Sequence, residues 1–498
     1  MSTKILNKTL LAAAVAASLA ACTTVGPDYH LPKEAVINRQ GANAPFVASS
    51  EPVFKKAPLP AQWWRLYDDP TLDKLIEKAL VANTDLRIAA ANLARARGVL
   101  DEAKMAGVPT VGANATATYG RASAAAKGLA DPLPDGWSHD GGVTASYQID
   151  LFGKIARGIE AADAETEAAQ AALDLARVTV AADTAKAYVD ACSSSRQIIV
   201  ANQSVGLQEQ SVDTTERLVR AGRGTQLDIS RARSQLGQLK AAVPPLQAQH
   251  RTALFRLAVL TGELPSAVPK DVEQCSTIPK TASAIPVGDG ASLLRRRPDI
   301  RQAERSLAAA TARIGVATAD LYPSISLGLS GGSTGPMSTL GDANALRWGI
   351  GPLISWTLPV TGTARSRIAQ AEAGSDAALA RFDATVLNAL RETESALTAY
   401  ARELDRNGAL KAARDHSALA SQQADKLYRY GRTDFLTTLD ANRTLASTES
   451  TLAASDAQLA KNQVSVFLAL GGGWEKKSLV PPAAKPTAPQ QPASQKGS

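Results

Sequence analysis

The chain repeats itself once at long range, and this constrains its fold more than any other feature. Residues 72–151 are echoed by 293–358, and residues 154–262 by 363–472. Asp85-Leu86-Arg87 answers to Asp299-Ile300-Arg301, and Val108-Pro109-Thr110 to Tyr322-Pro323-Ser324, at one offset. Arg220-Ala221-Gly222-Arg223 answers to Arg429-Tyr430-Gly431-Arg432 at nearly the same offset. A period of roughly 210 residues is too long for a solenoid repeat, so each copy is a structural half. Each half reads helix, strand, strand, very long helix, turn, helix. That order points to a structure crossing both a membrane and an aqueous space.

Four segments alternate with period two. Val111, Ala113, Ala115, Ala117 and Tyr119 oppose Gly112, Asn114, Thr116 and Thr118; Val143, Ala145, Tyr147, Ile149 and Leu151 oppose Thr144, Ser146, Gln148 and Asp150. Ile325, Leu327 and Leu329 oppose small polar residues in the third, and Trp348, Ile350, Ile354 and Trp356 do so in the fourth. Each run is about 9–11 residues, the length a tilted strand needs to cross a bilayer. Tyr119, Tyr147, Trp348 and Trp356 suit the membrane interfaces. A half-buried sheet of a soluble sandwich alternates in the same way, but its outer face carries Lys and Glu, whereas these polar faces are mostly small and uncharged. The Gly-rich stretches 120–142 and 331–347 read as loops between paired strands. Four strands cannot close a barrel, and an open sheet edge in lipid leaves backbone groups unpaired at several kcal/mol each. Copies of the chain must therefore pool strands, eight from a dimer or twelve from a trimer.

Residues 154–219 contain no proline and only two glycines, Gly158 and Gly206. Leu173, Ala176, Val180 and Ala187 recur there at spacings of three and four. Residues 363–428 behave alike, and each stretch predicts a helix about 100 Å long. Such lengths persist only by packing along their whole course, as in coiled coils. Shorter return helices are expected over 225–261 and 434–470, and entry helices over 72–105 and 292–319. Gly222 and Gly431 fit left-handed helix C-caps and mark the end far from the membrane. The two repeats thus cover 72–262 and 292–472, with an equatorial linker at 263–291.

The chain starts with Lys4 and Lys8 before an apolar run at 10–17, then Leu19-Ala20-Ala21-Cys22. This reads as a signal peptide over 1–21 that ends in a lipobox-like sequence, with Cys22 acylated and 22–71 a lipidated extended segment. Thr23 in place of Asp favours sorting to the outer membrane, by resemblance to sorted lipoproteins. Cys192 lies in a helix pattern and Cys275 in a loop; free buried thiols are expected, with pairing the alternative in an oxidising compartment. The net charge of +7 is modest, and Lys and Arg alternate with Asp and Glu, so there is no nucleic-acid face. Four scattered histidines and the lack of phosphate-loop, zinc or nucleophile-elbow motifs point away from an enzyme, a metal or a cofactor. Residues 473–498, rich in Pro beyond 481, read as a disordered tail.

Val25-Gly26-Pro27-Asp28-Tyr29, Trp63-Trp64, the run from Leu293 to Glu304 (LLRRRPDIRQAE), and Tyr428-Arg429-Tyr430-Gly431 with Leu439-Asp440-Ala441 resemble outer-membrane efflux lipoproteins of the TolC/OprM/NodT type. The resemblance implies an α+β membrane protein: a TolC-like trimer with four strands per protomer in one twelve-stranded barrel, a long α-helical periplasmic barrel and a small mixed equatorial region. It implies a passive conduit for drugs or other small solutes, partnered by a periplasmic adaptor (a membrane fusion protein) and an inner-membrane pump of the RND class. Carried over by motif, Leu436 and Asp440 look like constriction positions of the periplasmic mouth, Asp440 forming a carboxylate ring. Asp228 and Arg231 hold comparable positions and are expected to tie the mouth shut; the tips at Gly222 and Gly431 would meet the adaptor. Arg295 to Arg297 read locally as a solvated run before a helix with Pro298 at its first position and Asp299 favourable to its dipole. The competing readings are a lipid-tethered periplasmic coiled coil without a pore, and the same fold serving type I protein secretion.

Overall fold

The structure, a computed structural model, describes residues 24–125, 128, 130–267, 270–281, 283–358 and 362–474. The leader, Cys22 and the tail beyond Trp474 lie outside the described residues. An N-terminal arm of short 3-10 turns carries β1 (Phe54–Lys55) and leads into α1 (Pro70–Ala82) and α2 (Thr84–Met105). β2 (Thr110–Gly120) and β3 (Gly136–Ile149) follow, then α3 (Lys154–Arg220) and α4 (Gln226–Leu260). β4 (Ile285–Pro286) pairs in parallel with β1 at the equator. The second half runs α5 (Gly290–Arg296), α6 (Pro298–Ala319), β5 (Ser324–Pro336), β6 (Leu346–Ser355), α7 (Thr363–Arg429) and α8 (Phe435–Ala469).

The duplication is exact in the helical hairpins. α3 and α7 have 67 residues each, and α4 and α8 have 35 each. At 1.5 Å per residue the long helices reach about 100 Å. Alanine makes their close packing possible: Ala164 of α3 packs on Ala308 and Ala309 of α6. No helix among the described residues is long and apolar enough to cross a membrane.

Each entry helix, expected as one element, is two. Asn83 breaks the first: its side chain accepts from the backbone N–H groups of Asp85 (2.8 Å) and Leu86 (3.3 Å) and donates to Leu260 O. A buried Asn that serves three backbone groups stabilises a cap better than a helix interior. Arg297 breaks the second, because the residue before Pro298 is driven to extended backbone (ψ 121°). α4 runs on through Pro244 and Pro245, which a helix interior ordinarily disfavours by ~3 kcal/mol each; both are exposed.

The four long strands form one antiparallel sheet in the order β2-β3-β5-β6. The two strand pairs join in one sheet: β3 meets β5 over twelve residue pairs, Ser138↔Pro336 to Ile149↔Ile325. The expected Gly-rich loops shrink correspondingly. Gly141, Gly142 and Gly331 to Gly335 lie in the strands, and at Gly142 and Gly332 the two backbones touch; a Cβ on Gly332 would sit 2.3 Å from Gly141 O. Register gathers the apolar residues on one face, in rows such as Val111–Ala145–Leu329–Ile350. Val111, Val143, Leu329 and Ile350 are all exposed on it.

The equator is the largest core. Trp63 and Trp64 are buried there, and Trp63 stacks on Phe467 at 4.7 Å between centroids. Cys192 of α3 and Cys275 of the equatorial linker are joined by a disulfide. Free thiols were the expectation; the linker folds back across α3 and brings the two Cα atoms to 4.8 Å, within the span of a disulfide. Arg297 also departs from the expected solvated run. It is buried, donates to Ala469 O (2.9 Å) and pairs with Asp299 (2.7 Å) and Glu392 (3.0 Å). Burial disfavours its charge, but these carboxylates more than offset that and hold the guanidinium above its ordinary pKa. Pro298 and Asp299 stand at the start of α6 as expected. The chain stays packed to Trp474, whose indole N–H donates to Arg296 O.

Candidate functional site: the wall and its periplasmic mouth

The sheet is built for lipid on one side and water on the other. Its apolar face is bounded by aromatic rings. Tyr119 lies edge-on to Trp137 (5.6 Å) near the hairpin end, with Trp348 two positions from the start of β6. Tyr147 and Trp356 lie at the helical end, where the Trp356 indole donates to Leu321 O. Trp137 and Tyr147 are ten positions apart on β3 (147 − 137). That is about 33 Å along a strand, or roughly 25 Å along the membrane normal at the usual tilt, the height of an outer-membrane apolar band. In the sequence alone Trp137 falls within the Gly-rich stretch 120–142, which reads as a loop. On the opposite face stand Thr144, Ser330 and Gly349, with Arg347 paired to Asp140 at 2.6 Å. β2 and β6 are left as open edges.

Below the sheet, the N-terminal arm straps the wall. Val25 N–H donates to Phe152 O (3.1 Å), and a Cβ on Gly153 would lie 2.4 Å from Thr24 Cγ2. Thr24, two residues after Cys22, thus sits where the strands become helices. Gly26 passes so near α6 that its Cβ would be 2.4 Å from Gly315 Cα. Arg157 of α3 is buried under this crossing, donating to Val25 O, Gly26 O, Asp28 and Glu160. Tyr29 Oη donates to Glu304 at 2.7 Å. In the sequence Arg157 looks like any helical arginine until the arm is folded over it.

At the other end, α3 and α7 close with the same cap. Gly222 (φ +73°) and Gly431 (φ +70°) are left-handed, and Arg223 N and Arg432 N donate back to Leu218 O (2.8 Å) and Leu427 O (2.9 Å). This is the Schellman arrangement glycine favours. The two tips touch: a Cβ on Gly431 would meet Arg223 Nη2. Phe435 and Leu439 of α8 pack with Ala232 of α4, against Val212 and Tyr428. Arg443 Nε donates to Gln235 Oε1 at 2.8 Å.

α4 and α8 begin alike. Thr225 caps α4 in a capping box with Asp228, and Asp434 caps α8 by accepting from Thr437 N (2.7 Å). That backbone hydrogen bond holds the Asp434 carboxyl below its ordinary pKa. Asp228 was expected to tie the mouth with Arg231. Within the protomer its carboxylate accepts from Thr225 N (2.9 Å) and Oγ1 (2.7 Å), a local cap. Arg231, Leu436 and Asp440 are exposed, Leu436 and Asp440 one helical turn apart on one face of α8. No metal-binding cluster occurs among the described residues.

Known proteins share this build. Nodulation protein T of Rhizobium leguminosarum bv. viciae is 28% identical over 95% of this chain and 95% of its own length. A toluene efflux pump outer membrane protein of Pseudomonas putida is also 28% identical, over 95% of this chain and 97% of its own. The solved structure of the outer-membrane channel OprN superposes with a TM-score of 0.84 at 38% identity, covering 91% of this chain and 100% of that one. The chain has the α+β architecture of TolC-like trimeric channels of the outer membrane that extend into the periplasm, and it is a channel rather than an enzyme. A pore-free tether has no use for the sheet and drops out. Residues 75–263 and 291–472 match the outer membrane efflux protein family, and the chain belongs to it.

Proposed function

We propose that three copies form a passive conduit for drugs or other small solutes, fed by an inner-membrane RND-type pump through a periplasmic adaptor and gated at the helix tips. The observation that carries this is a four-stranded sheet with one apolar face and two open edges, mounted on helices about 100 Å long. In lipid those edges demand partners, and a ring of copies supplies them while enclosing the polar face. Energy then comes from the pump. Leu436 and Asp440 form the gate, and the tips at Gly222 and Gly431 present the surface for the adaptor. Cys22 carries the acyl anchor; the placement of Thr24 at the strand–helix junction supports it, because that height is the inner face of the bilayer.

Replacing Asp440 and Leu436 together by Ala tests the gate. Single-channel conductance in planar bilayers should rise, and unchanged conductance removes both residues from the constriction. Loss of palmitate labelling in Cys22→Ser tests the anchor, and continued labelling excludes it.

A further inference from the structure

The two hairpins correspond residue for residue. Gly153, Gly222 and Gly262 match Gly362, Gly431 and Gly471 with one difference of 209 (362 − 153, 431 − 222, 471 − 262), and all six have positive φ. Carried to the mouth, the same difference pairs Leu227 with Leu436 and Arg231 with Asp440 (436 − 227, 440 − 231). Environment agrees with arithmetic. Leu227 and Leu436 are each 55% exposed, and each is the second residue after its cap, Thr225 or Asp434. Arg231 and Asp440 are both exposed, one turn further along the same face.

The pairing sets an arginine and an aspartate at one height with opposite charge. Their neighbours are already engaged: Arg217 by Asp213, Arg233 by Glu216, Asp228 by its cap. Among the described residues of one protomer, no ion pair engages Arg231 or the Asp440 carboxylate. The helices lie side by side as α4, α3, α8 and α7, so α4 and α8 alternate around a threefold ring.

On the reading that the trimer is a gated conduit, we propose that its periplasmic constriction is an alternating ring of Arg231 and Asp440 above a collar of Leu227 and Leu436. The ring is charge-balanced, not the carboxylate ring that Asp440 alone suggests. Adjacent opposite charges draw the tips together, and neither cations nor anions are favoured. An all-acid ring would be cation-selective and would repel itself.

Ion selectivity in planar bilayers under a KCl gradient separates the two. Wild type should discriminate weakly. Arg231→Ala should raise the potassium-to-chloride permeability ratio by about threefold or more, and Asp440→Ala should lower it comparably. The exchanged pair, Arg231→Asp with Asp440→Arg, should return towards wild type while the trimer stays intact on gel filtration. Strong cation selectivity in wild type, or a ratio unmoved by Arg231→Ala while Asp440→Ala changes it, overturns the alternating ring and leaves the conduit standing. A wild-type trimer with no conductance overturns the conduit, and the ring with it.

Discussion

Arg157 Nη2 donates to Asp28 Oδ1 at 2.6 Å across 129 residues, and this contact pins the N-terminal arm to the wall at the level where strands give way to helices. The guanidinium is buried while Asp28 is largely exposed (5% against 79%). The arm is thereby drawn to the protein, and the segment from Thr24 onward is fixed in height.

Arg157→Met should release the arm. It strands Glu160, Asp28 and two carbonyls; breaking a buried pair costs 3–5 kcal/mol, and the exposure of Asp28 reduces this to about 2 kcal/mol. Trypsin should then cut at Lys33 faster than in wild type. An unchanged digestion rate would show that the arm is held by something else.

Breaking the Cys192–Cys275 bond should loosen the equator. The bridge closes a loop of 83 residues, and disulfides of this kind contribute about 2–4 kcal/mol. Thermal unfolding of wild type in detergent should become sensitive to dithiothreitol, and Cys192→Ala with Cys275→Ala should be insensitive. Two thiols that alkylate without reduction would contradict the bond.

Gly332→Val should disrupt the seam between the two halves of the sheet. Its Cβ would meet Gly141 O at 2.3 Å and Gly142 Cα at 2.9 Å, both backbone atoms that cannot swing aside. Overpacking at such a point costs about 1–3 kcal/mol or more. Heat-modifiable trimers should be lost from outer-membrane fractions, whereas Gly349→Ala, whose Cβ meets only the tip of Ser330 at 3.6 Å, should assemble. Normal trimer yield from Gly332→Val would rule out the β3–β5 register.

Asp289 gives a pH dependence of known sign. Its carboxylate accepts from Ser292 N at 2.8 Å in a capping box, and that hydrogen bond holds its pKa below the ordinary value. A depressed folded pKa contributes stability above the unfolded value of about 3.9 and loses it as pH falls through the folded one. Asp289→Ala should therefore lower stability near pH 7 by on the order of 1 kcal/mol. The gap from wild type should narrow below about pH 4. A gap that persists undiminished at lower pH would show that the carboxylate charge is not what caps α5.

Much of this was legible in the chain because it rests on local or periodic signals. The long helices, the caps at Gly222 and Gly431 and the alternating faces follow from spacing and from glycine's access to positive φ. What escaped depends on distant partners. Arg297 reads as solvated until Glu392, 95 residues away, is brought beside it. Cys192 and Cys275 carry no signal of pairing until the linker folds over α3. Gly141, Gly142 and Gly332 read as loop because glycine is rare in strands, yet here only glycine lets two backbones approach. Trp137 was lost with them. Asn83 is one polar residue in an amphipathic run, and it becomes a cap only because Leu260 O waits beside it.

Everything above requires that open-edged sheets from several copies close into one water-filled barrel. Mass measurement of the purified protein in detergent, followed by planar-bilayer recording of the same fraction, tests it most directly. A trimer that produces discrete conductance steps is expected. A stable monomer that is electrically silent would contradict it.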